Sequence, residues 1–266
     1  MAAWTDERVW DAADAGRWIP PGATRITTES YDVAVTPGSY ALTFVYGFHV
    51  EPAERVPEVL VDLRERIRAL GGNGARVLVS PRTRPRDLAD RLPSLGYEPR
   101  EETEVLVREL AGPRPPSAAG RLPEGIEVRE VRTEAEYGSY LAVSDEVFGH
   151  PPNAPSVDAA FLAEFRRAAA AGEPSGQWVA WAGATPVGAG GFSLDGPVAR
   201  LWGAGVLPAY RRRGVYGALV AARCAAARAR GAEIALVSAR VQSSAPILLR
   251  HGFRSVGSTR QFEARF

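Results

Sequence analysis

The spacing of apolar residues after residue 123 predicts an ordered series of strands and helices. Residues 126–130 alternate apolar and polar side chains, which is typical of a half-buried strand. Two helical patterns follow at residues 133–148 and 156–171, and each begins at a Thr or Ser that is able to cap a helix. Three further strands are predicted, with glycines at the turns between them, at residues 178–181, 186–194 and 198–206.

A long helix, a strand, a short helix and a terminal strand region complete this pattern. The long helix follows Gly214 and is predicted to end at Arg230, because glycine is typical of the position after a helix and Gly231 stands there. A strand at residues 234–238 and a short helix at 244–250 come next, and the remaining residues form one or two strands. The second half of the chain is therefore predicted to mix α and β structure.

Two stretches of sequence separated by 156 residues resemble each other. Residues 45–55 read VYGFHVEPAER and residues 201–211 read LWGAGVLPAYR, with identical residues at five of eleven positions. The same offset relates the glycine-aromatic pair at residues 96–97 to the pair at 252–253. We predict an internal duplication, with chance similarity as the alternative. Its first copy begins near residue 20 and lacks the opening strand and two helices of the second.

The region between the two copies is predicted to be a linker. Residues 111–122, AGPRPPSAAGRL, are rich in Pro, Gly and Ala and supply no periodic apolar face. The chain of 266 residues is then divided into a domain at residues 1–110, this linker, and a domain at residues 123–266.

Composition excludes several classes of function. The 32 basic and 31 acidic side chains leave a net charge of +1, which removes any general electrostatic argument for binding nucleic acid or a membrane surface. All 32 basic residues are Arg, so lysine Schiff-base chemistry and a P-loop lysine are excluded. We interpret the absence of lysine as GC-rich codon usage rather than as a functional adaptation.

The numbers and positions of cysteines, histidines and apolar segments restrict the possible disulfides, metal sites and cellular location. Cys224 is the single cysteine, so an intrachain disulfide is excluded. His49, His150 and His251 are too scattered to predict a metal site. The N-terminal residues are polar and acidic, and no apolar stretch approaches about 18 residues. We therefore expect a cytoplasmic protein, monomeric or homodimeric, without a targeting or membrane-spanning segment.

The candidate chemistry is concentrated in the segment VLPAYRRRGVYG at residues 206–217. A predicted strand ends there and a helix begins, and the first amides of a helix have no partner inside it. Gly214 lets the backbone approach a ligand closely, and the arginines at 211–213 add charge. This combination predicts a phosphate or pyrophosphate site, with a solvated arginine run as the alternative. It is neither a Walker loop nor a G-x-G-x-x-G fingerprint.

The same residues resemble a known family. Arg211-x-x-Gly214-x-Tyr216 is similar to the Q/R-x-x-G-x-G/A loop of the GNAT acetyltransferase superfamily, which binds the pyrophosphate of acetyl-coenzyme A. Val206-x-Pro208 precedes the loop, and the segment at 244–253 resembles the family's A-x-x-L-Y…G-F segment. The resemblance implies an α/β (α+β) fold of two GNAT-like domains, the first truncated. Each is expected to be a mixed, mostly antiparallel twisted sheet flanked by helices.

The resemblance also implies acetyl-coenzyme A, or another acyl-coenzyme A, as cosubstrate. Val206 and Leu207 are expected to contact its acetyl and pantetheine parts through backbone groups, with ordinary strand residues as the alternative. Ser243 and Ser244 are able to hydrogen-bond the coenzyme, although capping of the short helix also explains them. The residues expected to bind the coenzyme are Val206, Leu207, Arg211, Arg212, Arg213, Gly214, Val215, Tyr216, Gly217, Ser243 and Ser244.

The chain departs from the family pattern at several positions. Tyr216 takes a place usually held by Gly or Ala, so its side chain must swing away from the phosphates or line the acyl or acceptor pocket instead. Leu248 replaces a tyrosine that protonates the leaving thiolate in many members. In the first copy the loop contains Pro57 and glutamates instead of glycine, which resembles a GNAT half that has lost coenzyme binding.

No general base is evident, because the strand at residues 198–206 lacks the glutamate that many GNAT members carry. Glu146, Asp145 and His150 are the candidate catalytic residues, since the corresponding loop borders the acceptor site in the family. A solvated helix face is the alternative for the two acids, and a helix cap is the alternative for His150. His251 is interpreted as a partly buried turn residue, and no residue is assigned to a metal.

The resemblance predicts an acetyl-coenzyme A-dependent N-acetyltransferase. The amine of a small molecule, such as a metabolite or an antibiotic, attacks the thioester directly. The alternative is a non-catalytic protein that binds or senses acyl-coenzyme A, which is favoured by Leu248 and by the missing strand acid. A biosynthetic enzyme of the same fold with another acyl chain is a third hypothesis.

Overall fold

The structure, a computed structural model, describes residues 3–111, 124–149 and 155–266. His150 and residues 112–122 of the predicted linker lie outside the described residues. Contacts divide the chain into two compact units. The C-terminal unit comprises Met1–Gly16, Val105–Pro152 and Phe165–Val256, and the N-terminal unit comprises Arg17–Glu104, Asn153–Glu164 and Gly257–Phe266.

Neither unit is a continuous stretch of the chain. The first sixteen residues belong to the C-terminal unit, and the last ten belong to the N-terminal unit. The predicted domains at residues 1–110 and 123–266 are defined by similarity within the sequence and by the linker. The two units are defined by contacts between residues in the structure. The predicted division therefore stays a prediction.

Helices and strands alternate along most of the described chain. In chain order the elements are α1 (Asp6–Ala15), β1 (Thr24–Thr27), β2 (Tyr31–Val35), β3 (Phe44–Phe48), α2 (Val56–Ala69), β4 (Gly74–Val79), α3 (Leu88–Arg91), β5 (Glu98–Glu109), β6 (Ile126–Glu130), α4 (Glu134–Phe148), α5 (Pro155–Ala171), β7 (Gly176–Ala182), β8 (Thr185–Asp195), β9 (Val198–Val206), α6 (Val215–Ala229), β10 (Ile234–Arg240), α7 (Ser244–Arg250) and β11 (Arg254–Arg265).

In the C-terminal unit the strands lie in the order β10-β9-β8-β7-β6. The pairs from β6 to β9 are antiparallel, and β9 pairs with β10 in parallel. Leu219 of α6 and Leu248 of α7 pack with Phe192 of β8 in the main apolar core. A second cluster contains Val9 and Trp10 of α1. The sheet of this unit is therefore covered by apolar side chains from several helices.

In the N-terminal unit β1, β2 and β3 pair antiparallel, β3 pairs with β4 in parallel, and β4 pairs antiparallel with β11. Helix α2 buries Val56, Leu60, Leu63 and Ile67 against these strands, at the spacing of three and four residues that one helix face requires. Both units therefore contain a mixed, mostly antiparallel sheet with helices, which confirms the predicted fold class.

The two halves share an order of elements. The series from β1 to β5, without α1, is repeated from β7 to β11 as three strands, a helix, a strand, a helix and a strand. Strands β5 and β11 coincide at the offset of 156 residues, and so do the first residues of α3 and α7. This order supports the predicted internal duplication.

Two helix starts differ from the sequence expectation, and one agrees with it. The hydroxyl of Thr133 accepts a hydrogen bond from the amide of Glu136, and the Glu136 carboxylate accepts one from the amide of Thr133. Helix α5 includes Pro155 and Ser156 as it is described, so Ser156 lies within the helix rather than before its first residue. Helix α1 was not predicted, although Thr5 caps it by accepting from the amide of Arg8.

Candidate functional site

The turn between β9 and α6 enters the left-handed region of backbone conformation twice. After Val206 ends the strand, Pro208–Tyr210 forms one turn of 3-10 helix. Arg212 has a φ of 61° and Gly214 has a φ of 81°. Glycine adopts such angles without a steric penalty, so position 214 uses the conformational freedom that the sequence suggested.

The first turn of α6 presents backbone amides that precede its hydrogen-bond ladder. The first bond of the helix joins the amide of Ala218 to the carbonyl oxygen of Gly214 over 3.0 Å. The amides of residues 215–217 come before this bond, and the helix dipole adds partial positive charge at the same end. The first turn carries no acidic residue. An anion is therefore favoured at this end of α6.

Three exposed arginines, Arg211, Arg212 and Arg213, add full charges to the turn. Nε of Arg211 donates to the carbonyl oxygen of Val206 over 3.0 Å and so fixes the end of β9. The guanidinium of Arg213 lies over the ring of Tyr210, 5.3 Å from its centroid. In the part of the chain that the structure describes, no carboxylate forms an ion pair with these three arginines. Their charge is available to a ligand.

Strands β9 and β10 pair over only a short distance. Their parallel ladder joins Val198 to Ile234 and Arg200 to Leu236, although β9 continues to Val206 and β10 to residue 240. Beyond the ladder the facing edges of the two strands are not joined to each other. These edges lead from the sheet to the turn that carries Arg211, Arg212 and Arg213, which we call the arginine turn. They offer backbone groups of both strands to an extended ligand.

The backbone of Val206 and Leu207 is already partly engaged. The amide of Leu207 donates to the carbonyl oxygen of Val187 over 2.9 Å, and the carbonyl oxygen of Val206 accepts from Arg211. Leu207 therefore has its carbonyl oxygen, rather than its amide, to offer a ligand. Contact of these two residues with a coenzyme stays a prediction.

The ring of Tyr216 packs with the main apolar core of the C-terminal unit. Its hydroxyl hydrogen-bonds with the side chain of Ser244 at the start of α7. Burial raises the pKa of Tyr216 above its ordinary value, while Arg223 and Ser244 act in the opposite direction. The side chain therefore swings away from the exposed turn, as the departure from the family pattern requires.

Ser243 and Ser244, at the start of α7, do not cap the helix with their side chains. Ser243 stands at the N-cap position and makes no side-chain hydrogen bond to the helix. Oγ of Ser244 accepts from the amide of Arg240 over 2.9 Å, so this side chain is bonded to the end of β10. The capping interpretation is wrong, because the serine that hydrogen-bonds faces the strand and Tyr216. Contact of either serine with a coenzyme stays a prediction.

His251 lies against the first turn of α6. A Cβ atom on Gly217 would be 2.7 Å from Nε2 of His251, so the glycine leaves room for the imidazole. The histidine is partly buried, as expected, and burial together with Arg108 and Arg250 lowers its pKa. Leu248 is 1% exposed and belongs to the apolar core, so this position has no proton donor.

The acidic candidates lie on the exposed side of α4. Asp145 and Glu146 are both exposed, whereas the neighbouring Val147 packs against the backbone of Gly205 in β9. Helix α4 therefore lies over β9, and its last turn carries the two carboxylates. Their role as bases stays a prediction, and His150 lies outside the described residues.

Sequence reasoning missed two buried polar residues of this region, Tyr140 of α4 and Arg223 of α6. Arg223 is 1% exposed and Tyr140 is 6% exposed. The arginine could have been found from the sequence, because it falls on the apolar face of its helix. That face is formed by Val215, Leu219, Val220, Arg223, Cys224 and Ala227.

The corresponding loop of the first copy has a different backbone. Ala53–Arg55 forms a 3-10 turn and α2 begins directly at Val56, with Pro57 in its first turn. Glu58 also lies in that turn, and no residue from 53 to 59 has a positive φ. Compared with the turn before α6, this helix start has one amide fewer and carries a carboxylate.

Among residues 3–111, 124–149 and 155–266, no group of three or more His, Cys, Asp or Glu side chains is placed to hold a metal ion. Within the same ranges, no helix combines the length and apolar character needed to cross a bilayer.

Known proteins resemble this chain in sequence and in fold. Residues 140–253 match the model of the acetyltransferase (GNAT) family. No curated protein matches the chain. The family match covers the elements from within α4 to the end of α7, including the arginine turn.

Several solved structures share the fold. A GCN5-related N-acetyltransferase from Kribbella flavida is 18% identical, with a TM-score of 0.64 over 91% of this chain and 89% of that one. A GCN5-related N-acetyltransferase from Sphaerobacter thermophilus is 20% identical, with a TM-score of 0.66 over 89% and 76%. A tandem GNAT protein from the clavulanic acid biosynthesis pathway is 14% identical, with a TM-score of 0.61 over 97% and 87%. The likeness in fold therefore extends over nearly the whole chain.

Proposed function

We propose that this protein, whose residues 140–253 form a domain of the GNAT acetyltransferase family, transfers an acetyl group from acetyl-coenzyme A to the amine of a small molecule. The family match identifies the protein as an acyltransferase. The class of acceptor and the direct attack of the amine on the thioester are the proposal.

The observation that carries the proposal is the turn between β9 and α6. It combines a left-handed Gly214, amides that precede the helical ladder, and exposed arginines that form no ion pair with a carboxylate of the described residues. A pyrophosphate needs several hydrogen-bond donors and positive charge at one place, and this turn supplies both. The unpaired edges of β9 and β10 offer backbone groups to the extended arm that joins the pyrophosphate to the acyl group.

Separate residues would hold the pyrophosphate and the opposite side of the coenzyme. We assign the amides of residues 215–217, with Arg212 and Arg213, to the pyrophosphate, because these amides precede the helical hydrogen bonds and the two arginine side chains are exposed. Arg211 assists by holding the end of β9 through Val206. Ser244 contacts Tyr216 and the end of β10, and we assign it to the opposite side of the same ligand.

In the proposed reaction an N–C bond forms, a C–S bond breaks, and the proton lost by the amine is balanced by the proton gained by the thiol. Acetyl-coenzyme A supplies the acetyl group as an activated thioester. A thiol has a pKa of about 8.5, so a thiolate leaves with little help from an acid and the buried Leu248 is tolerated. Asp145 and Glu146 are the candidates for the base, directly or through water.

A second candidate function is binding of acyl-coenzyme A without turnover. It is favoured by the absence of an acid from β9 and by the burial of Leu248 where many family members carry a tyrosine. In both candidates the first copy has lost coenzyme binding, because Pro57 removes one amide donor and Glu58 repels phosphate.

Release of free thiol from acetyl-coenzyme A, measured with and without a panel of small amines, tests the proposal. Acceptor-dependent release that saturates with the amine supports the transferase. Titration calorimetry on the same protein distinguishes the alternatives, because tight binding without acceptor-dependent release indicates the non-catalytic protein. Malonyl-, succinyl- and longer acyl-coenzyme A in the same assay identify the acyl group that is used.

A further inference from the structure

Strands β8 and β9 contain a bulge that is lined by glycine. Ala189 pairs with Gly205 and Gly191 pairs with Trp202, so Gly190 alone faces two residues of β9. One of those two residues, Gly203, has a φ of 56°. An extra residue of this kind interrupts the ladder and turns backbone groups away from their regular partners. We refer to Gly190, Gly203 and Ala204 as the bulge.

Two helices approach the bulge because glycine leaves room for their side chains. A Cβ atom on Gly203 would lie 3.1 Å from the hydroxyl oxygen of Tyr140 in α4. A Cβ atom on Gly190 would lie 3.1 Å from Cζ of Arg223 in α6. Any larger residue at either position would push these polar groups away from the backbone of the bulge.

The hydroxyl of Tyr140 is a donor without a partner. Its ring stacks on Tyr137 at 5.9 Å and meets Trp202 edge-on at 6.3 Å, which fixes the direction of the hydroxyl. Within the described ranges no hydrogen bond to this hydroxyl is found. A tyrosine hydroxyl is able to donate one hydrogen bond, so its place over Gly203 is suited to an oxygen atom of a ligand.

The positive charge of Arg223 lies at the same bulge. Nη1 donates to the carbonyl oxygens of Gly191 over 3.1 Å and Trp202 over 3.4 Å, and Nε donates to Leu219 over 3.1 Å. All three acceptors are neutral, and no carboxylate of the described residues is paired with this arginine. A buried cation without a counter-charge stabilises negative charge that develops nearby.

We propose that the hydroxyl of Tyr140 donates a hydrogen bond to the reacting carbonyl oxygen of the acyl thioester at the bulge, and that it is a catalytic residue of this enzyme. The tyrosine keeps its proton throughout and stabilises the negative charge that the oxygen acquires. Burial raises the pKa of Tyr140, which keeps the hydroxyl protonated at neutral pH. This inference rests on the proposed function and names a group that the sequence did not indicate.

The substitution Tyr140→Phe tests the inference with two measurements. The first is the infrared band of the thioester carbonyl of bound acetyl-coenzyme A, located by ¹³C labelling. In the wild type a hydrogen bond lowers its frequency relative to the free ligand, and Tyr140→Phe should return it toward the free value. The second is kcat, which should fall by about 100-fold, the usual effect of losing one donor to an oxyanion, with KM for acetyl-coenzyme A little changed.

Tyr137→Phe is the matched control, because it removes a hydroxyl from a buried tyrosine one turn earlier on the same helix. It should leave the carbonyl band and kcat at the wild-type values, with melting temperatures recorded for both variants. Replacing Tyr140 by 3-fluorotyrosine, a stronger donor of nearly the same shape, should lower the band further.

The outcomes separate this inference from the proposed function. An active wild type whose carbonyl band and kcat are unchanged by Tyr140→Phe overturns the inference and leaves the transferase intact. Binding without turnover overturns the transferase, and the band alone then decides whether Tyr140 contacts the carbonyl. Absence of any acetyl-coenzyme A binding overturns both.

Discussion

The imidazole of His251 occupies the space beside Gly217, where a Cβ atom would lie 2.7 Å from Nε2. The histidine follows α7 directly, and the glycine is in the first turn of α6. This contact fixes the helix end that presents amides to the proposed pyrophosphate. Gly217 is therefore required for packing between two elements, and not only for access of a ligand to the backbone.

Gly217→Ala is expected to destabilise the protein and to weaken acetyl-coenzyme A binding, because the added methyl group displaces the imidazole. Overpacking of this kind costs about 1–3 kcal/mol of the free energy of unfolding, which urea denaturation measures. The double variant Gly217→Ala, His251→Ala should recover part of the stability, since the imidazole is no longer there to clash. Equal destabilisation in the single and double variants would refute the contact as the cause.

The free energy of unfolding is expected to decrease as the solution is acidified through the titration range of His251. Its pKa is lowered in the folded state, so the unfolded chain binds the proton at a higher pH than the folded chain does. The contribution is complete above the unfolded pKa of about 6.5 and is lost as the pH falls from there toward the folded pKa. Urea denaturation at several pH values should show a smaller loss for His251→Asn than for the wild type, whereas identical slopes would exclude this histidine as the source.

Gly214→Val is expected to weaken acetyl-coenzyme A binding by about tenfold or more, because a β-branched residue is strained at a φ of 81° and its side chain obstructs the turn. Glu58→Val changes the position that corresponds to it in the first copy, at the offset of 156 residues. Calorimetric titration should show near wild-type affinity for this control. A comparable loss in both variants would contradict the assignment of coenzyme binding to the second copy alone.

Arg223→Met is expected to lower the free energy of unfolding by about 1–3 kcal/mol, because the buried carbonyl oxygen of Gly191 and the partly buried one of Trp202 lose their donor. Arg228→Met makes the same change at an exposed position of the same helix and should be nearly neutral. Chemical denaturation of both variants gives the comparison. Equal stability of the two would show that the arginine is not needed to hold the bulge.

Much of the fold followed from local sequence pattern. Strands β6 and β9 have the bounds predicted from the apolar pattern, and α6 ends one residue before the predicted position. Gly214 was identified from its place between a strand and a helix, and its left-handed backbone agrees with that interpretation. These features depend on residues that are close together in the chain, and local periodicity reports on such residues directly.

Other features depend on residues that are far apart in the chain. The prediction that Ser243 and Ser244 cap α7 is wrong, because the side chain of Ser244 contacts Tyr216 and the end of β10 instead. The short ladder between β9 and β10 has no sequence signature, since both strands continue their apolar pattern beyond it. Helix α1 was missed because only the described structure shows what Val9 and Trp10 pack against.

The sequence by itself determined the order of elements from β6 to β11, the offset between the two copies, and the helix start that favours an anion, since each depends on local sequence pattern. Only the tertiary structure decided that Tyr140 and Arg223 each approach a glycine of the bulge and that His251 lies against Gly217. Those contacts join separate elements, and their formation depends on how the helices pack on the sheet. The binding turn was therefore visible in the sequence, whereas the donor proposed for the reacting carbonyl was not.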